Sequence, residues 1–245
     1  MQPRYNILKS AIEILDDEIR KLFNNKSSEA LRKIPIREIL LSKAVEHINT
    51  YYKFGENDFV SFAFEEDKNR LSQDNADIFH NILENKENAY IWQFNVIHDI
   101  DNFCRKLPFW TVSLSLVSNK NFLSTFIINP ILDISISCEQ GSGAINNQRK
   151  IRANKNYDSL VFTKSNDIKE FKEMETCQRL VLNSVSLELI YLSCGYIDFC
   201  LINEKDFIHY QDCILIAKES GILVNRVKEG YLLGNEKAIK KIDVS

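Results

Sequence analysis

Apolar residues recur at intervals of three and four near the start of the chain. Ile7, Leu8, Ala11, Ile12, Leu15, Ile19 and Leu22 give one buried face to a helix predicted over about 4–23. The polar run Asn24-Asn25-Lys26-Ser27-Ser28 ends it. After Pro35 the same spacing returns in Ile39, Leu40, Ala44, Val45, Ile48 and Tyr52, which predicts a second helix over about 36–52. From Asp58 the period drops to two and a strand is expected through Phe64, running straight into Glu65-Glu66-Asp67. Residues 67–88 are polar, with a short helical patch near 77–83, and read as a surface excursion.

Two more strand patterns occupy 90–97 and 110–117, the second alternating cleanly. Between them lie the polar knot His98-Asp99-Ile100-Asp101-Asn102 and Pro108. A strand end that carries His, two Asp and an Asn is where α/β proteins tend to place chemistry. Strands at 122–128 and 134–138 flank an Asn129-Pro130 turn, and Gly141 and Gly143 mark another turn. That glycine pair lacks the context of a phosphate loop. Residues 154–176 are polar and ambiguous. A helix over 185–193 stops at Gly195, a strand resumes over 196–201, and the last helix is expected over about 210–220, before Gly221.

Composition adds bounds. The 245 residues, 44% apolar and 11% aromatic, suit a globule with an ample core. They allow one large domain or two halves, 1–152 and 153–245, sharing a sheet. A formal charge of −3 leaves no electrostatic footprint for nucleic acid. No apolar run is long enough to span a membrane and the first residues lack a secretory core, so a cytoplasmic protein is expected. Six cysteines without a C-x-x-C pair are expected to be buried free thiols. His47 and His80 read as packing or surface residues. The basic groups Arg149-Lys150-Ile151-Arg152 and Lys237-Ala238-Ile239-Lys240-Lys241 read as solvated faces.

The stretch 89–117 resembles the signature of the inositol monophosphatase family, a lithium-sensitive superfamily of metal-dependent phosphatases. That signature is W-x-x-D-P-I-D-G-T-x-N-F followed by L-P-x-x-x-V-S-I-A-L. Trp92, Ile97, Asn102, Phe103, Leu107, Pro108, Val112 and Ser113 fall on it without a gap. A second family element, G-V-I-x-x-P then A-x-x-G-x-G-A-x-x-N-G-x-x-I, is matched by Pro130, Gly141, Gly143, Ala144, Asn147 and Ile151. A third is matched by Asn183 and Ser184 at its start and by Gly195 and Asp198 at its end.

The resemblance implies an α+β, or α/β, fold of the layered αβαβα sandwich type and a family habit of forming homodimers. It also implies Mg²⁺ held by carboxylates and one main-chain carbonyl. Some bacterial relatives act with the transcription machinery, which makes a protein partner conceivable. In register, the ligand places fall on Glu65, Asn95, the Ile97 carbonyl, His98 and His209, with Asp212 three residues beyond the last; a further place falls near Ser42. The two aspartates of D-P-I-D have become Asn95 and His98, the glycine Asp99, and the threonine Ile100. The phosphate cradle would be the backbone of Asp99 and Ile100, where Asp99 and Asp101 bring repelling charge and carboxylates able to cap the amides. Asn183 and Ser184 hold the place of substrate contacts.

Only one carboxylate remains in that set, so Mg²⁺ should bind weakly or not at all. The expected function is a catalytically impaired or inactive family member kept as a binding or scaffold protein. The alternative is a phosphatase acting on inositol monophosphate or a related phosphomonoester through an altered site. There Glu65, His98 and His209 would suit Zn²⁺, Mn²⁺ or Fe²⁺. A sensor that kept the pocket for a small phosphorylated ligand is a third reading.

Overall fold

The computed structural model describes residues 2–62, 89–153, 160–165, 167–168, 174–228 and 230–242. The chain divides into two compact units, 1–137 and 138–245. Glu65, His80 and the helical patch near 77–83 lie outside the described residues.

In the first unit the three-and-four spacing becomes α1 (Gln2–Asn25) and α3 (Ile36–Tyr51), which pack together. Leu8, Ala11, Leu15 and Ile19 of α1 and Leu40, Ala44 and Ile48 of α3 are fully buried. The polar run between them does more than end a helix. Ser27 accepts a hydrogen bond from the Ala30 amide and so caps a short helix, α2 (Ser28–Lys33), that periodicity did not show.

Strands β1 (Asp58–Phe62), β2 (Tyr90–His98), β3 (Thr111–Ser118) and β4 (Asn121–Asn129) form neighbouring strands of one sheet. β1 runs parallel to β2, and the other two pairings are antiparallel. β3 alternates cleanly in sequence, yet all eight of its positions are buried. Its polar residues are small enough to enter the interior, and Ser115 donates across the sheet to Thr125 Oγ1 at 2.8 Å. Trp92, Phe94, Phe103 and Trp110 join α1 and α3 in one core.

β5 (Ile134–Glu139) leads into the second unit, where β6 (Gly143–Asn146) and β7 (Arg149–Lys150) pair as a hairpin. Strands β8 (Val161–Lys164), β9 (Gln178–Arg179), β10 (Phe199–Ile202), β11 (Leu223–Val227) and β12 (Gly230–Gly234) form a sheet ordered β11-β12-β10-β8-β9. Helix α5 (Val185–Ser193) has the predicted ends and packs against α7 (Gln211–Glu219). Gly195 follows α5 at φ 71, as its place after the helix required.

Two helices of the second unit were not legible in the pattern: α6 (Glu204–His209), and α8 (Glu236–Ile242), which follows the helix expected to be last. The lysines of α8 are solvated as expected, while Ala238, Ile239 and Ile242 between them are buried. All six cysteines lie outside disulfides and five are buried. No described helix is long and apolar enough to cross a membrane. Mixed sheets with helices laid on them give the α+β layered class expected from the sequence.

Candidate functional site

Near its end β2 leaves regular pairing. Asn95 pairs with Ser113 and His98 with Thr111, so Val96 and Ile97 together oppose Val112 alone, a β-bulge. The extra residue puts Ile97 at φ 57, a left-handed conformation unusual for a β-branched side chain and worth about 1–3 kcal/mol of local strain. Asp99 follows at φ 62 as the N-cap residue of α4 (Ile100–Cys104). Its carboxylate makes no capping bond to this helix, so the expected capping of these amides by Asp99 is corrected. Asp101 is exposed in the first turn.

The bulge turns two successive carbonyls toward α3. Arg37 Nε donates to Val96 O at 3.2 Å, and its Nη2 donates to Ile97 O at 3.1 Å. Asn95 and His98, on either side, are 2% and 3% exposed. The carbonyl to which the resemblance assigned a metal therefore accepts from a guanidinium. Among the described residues no three His, Cys, Asp or Glu side chains gather as a metal-holding group. An amide, an imidazole and a carbonyl already paired with a cation do not fit Mg²⁺, which wants hard anionic oxygens in octahedral array.

The signature residues that the chain retains hold the backbone. Asn102 Nδ2 donates to Phe109 O at 2.8 Å, which ties α4 to the loop before β3. Phe103 and Trp110 meet edge to face at 5.0 Å. Asn129 Nδ2 donates to the carbonyls of Pro108 and Trp110, while its Oδ1 accepts from the amides of Ile131 and Leu132. Trp92 Nε1 donates to Asp58 Oδ1 at 3.0 Å.

Asp58 is the centre of a network that sequence reasoning missed. Its carboxylate also accepts from Arg4 Nε at 2.9 Å, the Tyr52 hydroxyl at 3.0 Å and the Gly55 amide at 2.9 Å. Burial by itself would raise this carboxyl, but the donors from Arg4, Trp92, Gly55 and Tyr52 outweigh it and hold the group below its ordinary range. Arg4 also lies over the Tyr90 ring, 3.9 Å from its centroid. No local signal marks Arg4 or Arg37, because each acts on residues more than fifty positions away.

The remaining candidates take varied places. Ser42 is exposed on α3. His47 bonds Ser10 Oγ at 2.9 Å, a packing role as expected. Asn183 adopts φ 53, and Ser184 is the N-cap of α5, its Oγ accepting from the Leu187 amide. His209 ends α6 in the second unit, and Asp212 is buried in the first turn of α7, where its Oδ1 accepts from the Cys213 amide. Asp198 is buried and accepts from the Val161 amide at 2.8 Å and from Asn235 Nδ2 at 3.1 Å, which makes it a sheet anchor.

A further buried carboxyl lies on α5. Glu188 accepts from Thr163 Oγ1 and from the Leu182 amide. Burial raises it from its ordinary range by more than those bonds and Arg179 lower it. A raised folded pKa means stability present at low pH and lost as pH rises through that pKa. Glu188→Gln keeps the shape and removes that loss. Urea unfolding should show the variant gaining stability relative to wild type as pH rises above the ordinary glutamate range. No relative gain would mean that burial does not raise this carboxyl in the folded chain.

No family model matches the chain. The chain has the inositol monophosphatase fold: it aligns with the extragenic suppressor protein suhB of Bartonella henselae at a TM-score of 0.70 and 20% identity, covering 96% of each chain. In sequence it is 28% identical over 145 residues to a fructose-1,6-bisphosphatase/inositol-1-monophosphatase of Thermotoga maritima, covering 55% of this chain and 56% of that one. It is 23% identical over 170 residues to the Nus factor SuhB of Buchnera aphidicola, covering 64% and 63%. The chain is thus similar to proteins of the inositol monophosphatase type, and the matched stretches span less than two thirds of those two relatives' lengths.

Proposed function

We propose that this chain is a catalytically impaired or inactive inositol monophosphatase family protein, retained as a binding or scaffold protein and assembled as a homodimer. Arg37 carries the reading. Its guanidinium already pairs with the Ile97 carbonyl and sets a fixed positive charge where a divalent ion would have to sit. Two like unit charges 4 Å apart repel by about 4 kcal/mol at a near-surface dielectric, and a divalent ion doubles the term. Neutral Asn95 supplies no compensating charge, and His98 supplies none either when neutral. Ile100 brings no hydroxyl to orient a water.

The two relatives carry names of different kinds, a Nus factor and a phosphatase. The residues at the end of β2 favour the first kind of role for this chain, with a protein partner as its object. A pocket for a small phosphorylated ligand is compatible with such a role.

The test is phosphate release from inositol monophosphate and a panel of sugar and nucleotide phosphates, with Mg²⁺, Mn²⁺ and Zn²⁺ in separate arms. No turnover above background is expected in any arm, and millimolar Mg²⁺ or a chelator should leave the melting temperature unchanged. Mg²⁺-dependent turnover would overturn the reading. Turnover with Mn²⁺ or Zn²⁺ that His98→Ala removes would establish the altered-site phosphatase in its place.

A further inference from the structure

The second unit contains a cleft of about 310 Å³. The Gly141–Gly143 turn lines it, together with Lys150 and Arg152 on one side and Lys218 and Glu219 on the other. It is a built feature. Glu219 Oε1 accepts from the Gly141 amide at 2.7 Å and Oε2 from the Gly143 amide at 2.8 Å, so one carboxylate joins the turn to the end of α7. A bond from the Ala153 amide to Ser220 O at 3.0 Å adds a second tie. Gly143, at φ 85, leaves room for Lys150: a Cβ there would stand 3.2 Å from Lys150 Cε and 3.8 Å from its Nζ. The ammonium is thereby bent over the turn.

The charges are unbalanced. Elsewhere Arg20, Lys33, Arg226 and Lys240 each hold a carboxylate at 2.5–3.3 Å. Lys150, Arg152 and Lys218 form no ion pair with any described residue, although the chain as a whole is acidic, with a formal charge of −3. Among the described residues Glu219, directed to the two turn amides, is the one carboxylate lining the cleft. Three cations against one committed carboxylate leave a net positive cleft at the small end of the volumes that hold small ligands.

We propose that this cleft binds a small phosphomonoester, with Lys150, Arg152 and Lys218 pairing with its dianionic phosphate. Arginine matches phosphate oxygens with two parallel donors, and lysine adds point charge. The turn amides are already taken and the end of α7 carries partial negative charge, so the side chains alone hold the ligand. The affinity should accordingly be modest, roughly 0.1–1 mM. The cleft shares no residue with the inherited site, so this proposal does not rest on whether that site is active.

The experiment is isothermal titration of the full chain with inorganic phosphate, glucose 6-phosphate, a nucleoside 5′-monophosphate and sulfate. Saturable binding of at least one phosphomonoester is expected, weakened tenfold or more in the doubly substituted Arg152→Gln, Lys218→Gln chain and unchanged in His98→Gln. Both substituted cations are exposed, so the variant should melt like wild type. No saturable binding, or binding indifferent to the double substitution, would overturn the proposal. So would equal loss in His98→Gln, which would move the site to the first unit. Equal affinity for sulfate and the esters would overturn the assignment to a phosphomonoester.

Discussion

Asp58→Ala should lower the unfolding free energy by about 3–5 kcal/mol, the range for removing one partner of a buried, hydrogen-bonded ion pair. The Asp58 side chain is 2% exposed and that of Arg4 is 21% exposed, so the variant leaves a half-sheltered guanidinium, an indole N–H and a phenol hydroxyl without their common acceptor. At this chain length the loss corresponds to roughly 10 °C or more in melting temperature. Trp92→Phe removes a single donor and keeps a ring, so it should cost less, about 1 kcal/mol for the bond plus the repacking.

The pH dependence supplies an independent check. Asp58 is depressed in the folded state, so its contribution is complete at neutral pH and is lost as pH falls through the folded pKa. Wild type should therefore lose stability on acidification more steeply than Asp58→Ala. Parallel acid profiles, or a loss at neutral pH below about 1 kcal/mol, would show that the network is dispensable.

Gly230→Ala should be nearly as damaging, at roughly 3 kcal/mol or more from overpacking and backbone strain together. Gly230 has φ 145, and a Cβ there would stand 2.2 Å from Ile202 O and 3.0 Å from Asn203 Cα. Both atoms are backbone and cannot rotate away. They belong to the end of β10 and to the N-cap of α6, where Asn203 Oδ1 accepts from the Asp206 amide. Relief requires β12 to move off β10, against the pairing of Ile202 with Tyr231 and Leu201 with Leu232. Gly141→Ala is the control. It shares a positive φ of 79 but meets nothing within 4 Å, so only the left-handed penalty of about 1–2 kcal/mol applies. Equal losses in urea unfolding would mean that backbone conformation, not the close approach, governs position 230.

Periodicity alone determined the longer elements. A helix face or an alternating strand is written within a window of a dozen residues, which is why α1, α3, β2, β4 and α5 were legible. Short elements such as α2, α6 and α8 hold too few turns to show a period and depend on the units they pack into. The kept signature residues were likewise legible, because Asn102, Phe103 and Trp92 specify backbone and core whatever chemistry stands beside them. The identities of Asn95, His98 and Ile100 could be read in the same way, at the places that the resemblance implies.

Tertiary structure decided what surrounds those positions. The bulge that turns Ile97 into a left-handed conformation depends on the register between β2 and β3, which no local pattern contains. Arg37 reaches Val96 and Ile97, Arg4 reaches Asp58, and Glu219 reaches Gly141 and Gly143, each across a long stretch of chain. A charged side chain that acts on a distant backbone group leaves no periodic trace in sequence, since its partner is chosen by packing and not by spacing.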